Sequence, residues 1–265
     1  MKKHIPTEFV FQLASLLIAV IVVHAFYVAV VRPNADAIIE ERQIQIEENP
    51  NYVPERSFFV VIRDFEQEVC FVLMLWALSI LGYKAYAASL ERALLQQDLV
   101  PIAEGMRILP EDTREYARQI QALPDGKKGM LLPRVLLSAL QRFGATRNVQ
   151  DGSSSAHTLV ASEAERLESE LSMIRYIAWA IPSIGFIGTV RGIGAALAQA
   201  HRAVEGDISG VTQNLGVAFN STFIALLLSI VLMFLVHQLQ LLQERLVFET
   251  ESYTDDHLIR HLQSG

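Results

Sequence analysis

Cysteine is almost absent from this chain of 265 residues. The single Cys70 excludes an internal disulfide and a multi-cysteine metal site, and reads as an inert residue of an apolar segment. Charge is scarce as well. Only 19% of residues are charged, and the formal net charge of −7 leaves no basic footprint for nucleic acid, so no nucleic-acid partner is expected. An A-x-A cleavage pattern is missing after the first apolar run, which is also too long for the hydrophobic part of a signal peptide, so that run reads as a retained helix. Acidic residues are missing altogether from 176–200 and from 212–239. No catalytic constellation and no cofactor or metal signature is found, so the chain is not expected to be an enzyme.

Long apolar runs are what the sequence has in abundance. Hydrophobic residues make up 51% of the chain and the mean hydropathy is +0.29, which places it among membrane proteins. The first run, Phe9 to Val31, is long enough to cross a hydrocarbon core of roughly 30 Å at 1.5 Å per residue. Lys2 and Lys3 before it favour a cytoplasmic N-terminus. His24 stands alone within it, an ionisable residue at membrane depth.

Residues 32–67 carry eight Asp/Glu against four Lys/Arg, with a short amphipathic helix expected over Ile38–Ile46, and should lie in the periplasm. A second span over Glu68–Ala88 contains Cys70, Trp76 and Gly82 and ends at Tyr83, Lys84 and Tyr86, as an interfacial anchor would. Residues 84–175 have twelve Lys/Arg, consistent with the cytoplasm. Its ends should be helical extensions of the spans, through Leu90 and Leu94 and through Leu167, Leu171, Ile174 and Ala178. Pro101, Gly105, Pro110, Pro124-Asp125-Gly126 and Pro133 should divide short helices, and Asp151 to Ser155 reads as a flexible joint.

Two further spans follow, about 175–200 and 211–240, joined by a short polar hairpin from His201 to Gly210. In the third, Pro182, Gly185, Thr189, Gly192 and Ala196 share one helix face, and Gly188 and Gly192 form a small-xxx-small packing seam. In the fourth, Ala218, Thr222, Ala225 and Ser229 share a face by the same spacing. Each helix thus carries a threonine on a face of small residues. Thr189 lies about 21 Å along its helix from Arg175 and Thr222 about 16 Å from Val211, so both fall in the middle third of a core of roughly 30 Å. Asn220 and Ser221 flank Thr222 on other faces. Leu239, Leu242 and Leu246 continue the fourth helix out of the membrane.

With P-x-x-G-x-x-G-T-V-x-G-I from Pro182 to Ile193 and A-x-x-x-T from Ala218 to Thr222, the chain resembles the MotA/TolQ/ExbB proton-channel family over roughly Arg175 to Leu239. The resemblance implies a homopentamer around a dimer of a single-span MotB/TolR/ExbD-like partner, each partner bringing a membrane aspartate whose protonation cycle drives rotation. It also implies that Thr189 and Thr222 line the ion pathway, with Pro182, Gly185, Gly188, Gly192, Ala218, Asn220 and Ser221 packing the helices and lining the pore. Two features depart from the family. Val217 stands where TolQ and ExbB have a glutamate, and Arg191 replaces an apolar or aromatic residue.

The expected fold is an all-α membrane protein with four transmembrane helices, the second to fourth extended into the cytoplasm. Its parts are a first hairpin over 1–88, a cytoplasmic helical region over 89–174, a channel hairpin over 175–240 and a cytoplasmic C-terminal helix over 241–265. Both termini should face the cytoplasm, in a bacterial inner membrane. The function expected is that of the channel-forming subunit of a motor driven by protons or sodium ions; the alternative is a non-conducting membrane scaffold.

Overall fold

The computed structural model describes residues 7–49, 52, 55–102 and 106–264. Lys2, Lys3, Gly105 and the middle of the Asn49–Tyr52 segment fall outside them. Among the described residues the chain is helical, apart from an isolated parallel bridge between Ile108 and Leu262. Four helical runs are long and apolar enough to cross a membrane, within Glu8–Ile46, Phe65–Leu94, Val149–Ala198 and Ser209–His261. Their apolar side chains are largely uncovered by the chain itself: Phe9, Leu13, Leu17 and Ile21 of the first run are more than half exposed. Water would penalise so extensive an apolar surface, whereas lipid does not. The chain is an all-α, multi-pass membrane protein.

It divides into two compact units. The first comprises residues 1–81 and 173–236, the second 82–172 and 237–265.

The first unit begins with α1 (Thr7–Phe26), which passes through a π turn (Tyr27–Val31) directly into α2 (Arg32–Glu48). The short amphipathic helix expected after the first span is thus a continuation of it, and Pro33 directly follows the wide turn, where its missing amide falls in a hydrogen-bond ladder that the π turn already interrupts. After the short α3 (Phe58–Val61), α4 (Phe65–Leu94) starts three residues before the boundary read from the sequence. Trp76 Nε1 donates to the carbonyl of Gln12 at 2.9 Å, which fixes the register of α4 on α1.

The channel-like hairpin of this unit consists of α9 (Ser172–Ala198), the one-turn α10 (Ala200–Val204) and the start of α11 (Ser209–His257). Asp207 takes both the amide and the hydroxyl of Ser209 at the head of α11, which holds its carboxyl below the usual range.

The second unit is a helical cluster. Its core is formed by α5 (Thr113–Gln121), α7 (Leu131–Thr146) and α8 (Val149–Glu170), with Leu132, Leu136, Leu140, Phe143 and Val160 buried. The expected flexible joint at Asp151–Ser155 is instead the first turns of α8. Asn148 caps that helix by accepting from the amide of Gln150, and Gly152 packs so closely on α7 that an added Cβ would lie 3.2 Å from Phe143 Cβ and 3.3 Å from the carbonyl of Ala139. The small residues there serve close helix contact rather than looseness. Pro133, expected between helices, is the third residue of α7, a position where a missing amide costs nothing. The C-terminal residues return to this core. The amide of Ile108 donates to the carbonyl of His261 and that of Gln263 to the carbonyl of Ile108, with Leu258 and Leu262 buried.

Candidate functional site: a threonine pair in a glycine seam

Four small residues of α9, Gly185, Gly188, Gly192 and Ala196, are buried along one face. The three glycines meet Ala225, Ser221 and Ala218 of α11. The approach is close enough that a Cβ built at Gly192 would lie 2.7 Å from the backbone nitrogen of Ala218, and one at Gly188 2.5 Å from Ser221 Cβ. Only glycine permits this contact, as expected where helices in lipid gain their association from van der Waals packing.

Pro182 lies inside α9 and has no amide to give the carbonyl of Ala178. Ser229 of α11 replaces it, donating its hydroxyl to that carbonyl at 2.9 Å. Cys70 of α4 lies 3.6 Å from the carbonyl of Ile181 in the same weakened stretch. The carbonyl that the proline leaves free is thus served by a hydroxyl of the neighbouring helix.

Thr189 and Thr222 face one another at one side of the seam. Their hydroxyl oxygens are in direct contact. Thr189 Oγ1 lies 3.0 Å from the carbonyl of Ala218 on the opposite helix, and Thr222 Oγ1 3.1 Å from the carbonyl of Gly185. Two hydroxyl hydrogens serve these three contacts: one threonine donates to the other, whose own hydrogen goes to a carbonyl of the opposite helix. The lone pairs left over on the two oxygens can accept from a water or a hydronium, or bind a cation, that approaches the pair from its uncovered side. Both side chains are half-buried within the chain.

Ser221 points to the other side of the seam. Its hydroxyl donates to the carbonyl of Val217 at 2.9 Å and lies 3.4 Å from Gln67 Nε2. Asn220 faces a cavity of about 650 Å³, lined also by Gln43, Arg63, Asp64, Gln199, Arg202 and Gln213. Burial there holds the carboxyl of Asp64 above its ordinary value.

The third and fourth spans have no acidic residue, and the sequence pattern puts the neighbouring carboxylates in a loop or at a span end. The structure brings them into the bundle. Glu66, Gln67 and Glu68, in the first turn of α4, are all buried. Glu66 holds Arg191 of α9 in a bidentate pair, with Nε to Oε1 at 2.6 Å and Nη2 to Oε2 at 2.8 Å. Asp64 lies 4.0 Å from the same guanidinium. Glu68 accepts from Arg32 and lies 2.7 Å from His24 Nδ1. Arg191 therefore meets an acid of its own chain. The signal was present in the sequence: His24 and Arg191, each inside an apolar run, require partners, and E-Q-E directly ahead of the second run supplies them.

Four apolar spans, a glycine seam and a paired hydroxyl site define a class, that of helical membrane proteins built for close helix packing around a polar interior. Residues 129–252 match the profile of the MotA/TolQ/ExbB proton channel family. The resemblance seen at Pro182–Ile193 and Ala218–Thr222 holds, and the matched stretch also takes in α7 and α8 of the second unit. Neither the curated proteins nor the solved structures contain a match to the chain.

Proposed function

We propose that this chain is the channel-forming subunit of an ion-driven motor in a bacterial inner membrane. Five copies surround a dimer of a single-span MotB/TolR/ExbD-like partner whose membrane aspartate carries the proton, or whose equivalent site carries a sodium ion. The observation that supports this reading most strongly is the apposed pair of Thr189 and Thr222, two hydroxyls in contact at the centre of the seam whose oxygens keep lone pairs for a further partner. A simple packing seam has no need of two apposed hydroxyls at its centre.

In a ring, Thr189 and Thr222 of each copy line the cavity around the partner aspartate and replace part of the hydration shell of the passing ion. Pro182, Gly185, Gly188, Gly192 and Ala218 keep α9 and α11 at the spacing this requires, Ser221 ties α11 to α4, and Asn220 lines the approach. Both termini and the second unit lie in the cytoplasm, and the 32–67 segment in the periplasm. The partner's aspartate supplies the titrating group at the threonine pair, since α9 has no acid and α11 none within the membrane.

The test is co-expression with a candidate single-span partner that carries an aspartate in its span, followed by native mass measurement and proton-flux assay in liposomes. A five-to-two complex that conducts is expected. A monomer, another ring size, or an assembled ring with no flux would favour the non-conducting scaffold.

A further inference from the structure

The π turn at Tyr27–Val31 interrupts α1 and α2 at the point where two residues of the first helix reach the same carboxylate. His24 and Arg32 are eight positions apart. In regular α-helix they would point about 80° away from each other. The wider turn takes up the excess residue and brings both to Glu68 of α4. Register places this cluster inside the apolar zone: His24 precedes Val31, the end of the apolar run, by about 10 Å of helix.

The two partners of Glu68 differ. Arg32 is a fixed cation and by itself neutralises the carboxylate. The imidazole is thus not needed for charge balance, yet its Nδ1 lies 2.7 Å from Glu68 Oε1. The His24 side chain is 61% uncovered within the chain, whereas that of Glu68 is only 7% exposed. The ring therefore joins a face that its own chain leaves uncovered to a buried anion. Two further polar atoms, the hydroxyl of Tyr27 and Oε1 of Gln67, are buried with no hydrogen-bond partner among the described residues. Tyr27 lies one turn from His24, and Gln67 adjoins Glu68.

We propose that His24 and Glu68 form a proton-binding site in each subunit, whose occupancy sets the rate at which the channel admits ions. The proposal rests on the channel reading above. A hydronium gives one proton to His24 Nε2 and leaves as water. The imidazolium keeps its Nδ1 hydrogen directed at Glu68, which remains a carboxylate, and release is the reverse step. Binding takes the His24–Glu68–Arg32 cluster from net zero to one positive charge and tightens the hold of α1 on α4. The other titratable or charged groups facing the pair are Tyr27 on the π turn, Asp64, Glu66 and Cys70 on α4, and Arg191 on α9. Arg191 is already satisfied by Glu66. The 211–240 part of α11 carries one titratable residue, His237, toward its far end.

The test compares the wild-type complex, Glu68→Gln, His24→Gln and Thr189→Val in liposomes, measuring proton flux against pH, together with nitrogen NMR of the His24 imidazole in the assembled complex. Glu68→Gln keeps hydrogen-bonding capacity toward both His24 and Arg32, so assembly should persist. Flux is expected to show a pH step coincident with the His24 titration. Glu68→Gln should move both together, because the carboxylate that faces the imidazole is gone. His24→Gln should abolish the step. A step unchanged in both variants overturns the inference and leaves the channel reading intact, provided Thr189→Val stops the flux. Absence of flux in the wild-type complex overturns the channel reading, and this inference with it.

Discussion

Ser229 illustrates how a membrane helix tolerates a proline. Its hydroxyl serves the Ala178 carbonyl that Pro182 leaves without an amide. Ser229→Ala is expected to lower stability by roughly 0.5–1.5 kcal/mol, within the range for hydrogen bonds between membrane helices, measured by unfolding in mixed micelles. Combined with Pro182→Ala the loss should largely vanish, since the alanine that replaces the proline brings the missing amide donor. An equal loss in both backgrounds would contradict this pairing. Single residues of this kind were partly legible in the sequence. The shared face of Ala218, Thr222, Ala225 and Ser229 follows from helical periodicity alone, but the carbonyl each hydroxyl reaches depends on the axial register of two helices, which periodicity leaves open. For the same reason Glu66 and Glu68 could not be placed: their register against His24 and Arg191 is set by contacts such as that of Trp76 with Gln12, far apart in sequence.

At the scale of elements the glycines make the sharpest distinction. Gly192 has the backbone of α11 where a Cβ would be, and Gly194, two residues on, has open space. Gly192→Val should drive α9 from α11 and prevent a stable complex, while Gly194→Ala should be neutral or slightly stabilising; thermal aggregation of the detergent-extracted protein would separate the two. Equal behaviour would mean that the seam does not hold the hairpin together. In the second unit, Gly152→Val should loosen α7 from α8 for the same reason, seen as faster amide exchange over both helices. The four apolar runs were readable because lipid demands a length that few other structures share. The α8 start was not. Gly-Ser-Ser-Ser has the composition of a linker, and only the cap at Asn148 and the close contact of Gly152 with α7 make it helical. Local propensity yielded there to tertiary packing.

For the whole molecule, orientation is the property with the simplest test. With Cys70 replaced by alanine, a cysteine placed at Asn49 should react with a membrane-impermeant thiol reagent in cells whose inner membrane is intact, and one placed at Gly126 only after that membrane is opened. The reverse pattern would invert the proposed topology. The central claim, that the apposed threonines form part of an ion path, has a more direct measurement: proton flux through the reconstituted complex bearing both Thr189→Val and Thr222→Val. Valine keeps the shape of threonine and removes both oxygens. The seam should hold, with the ring assembling near its normal level, because the lost hydrogen bonds between helices average only about 0.6 kcal/mol each. Flux should fall by an order of magnitude or more, since the ion then loses both ligands where hydration is scarcest, and Thr→Ser at either position should retain part of it. Normal flux in the double variant would contradict the account and reduce the threonine pair to a packing contact.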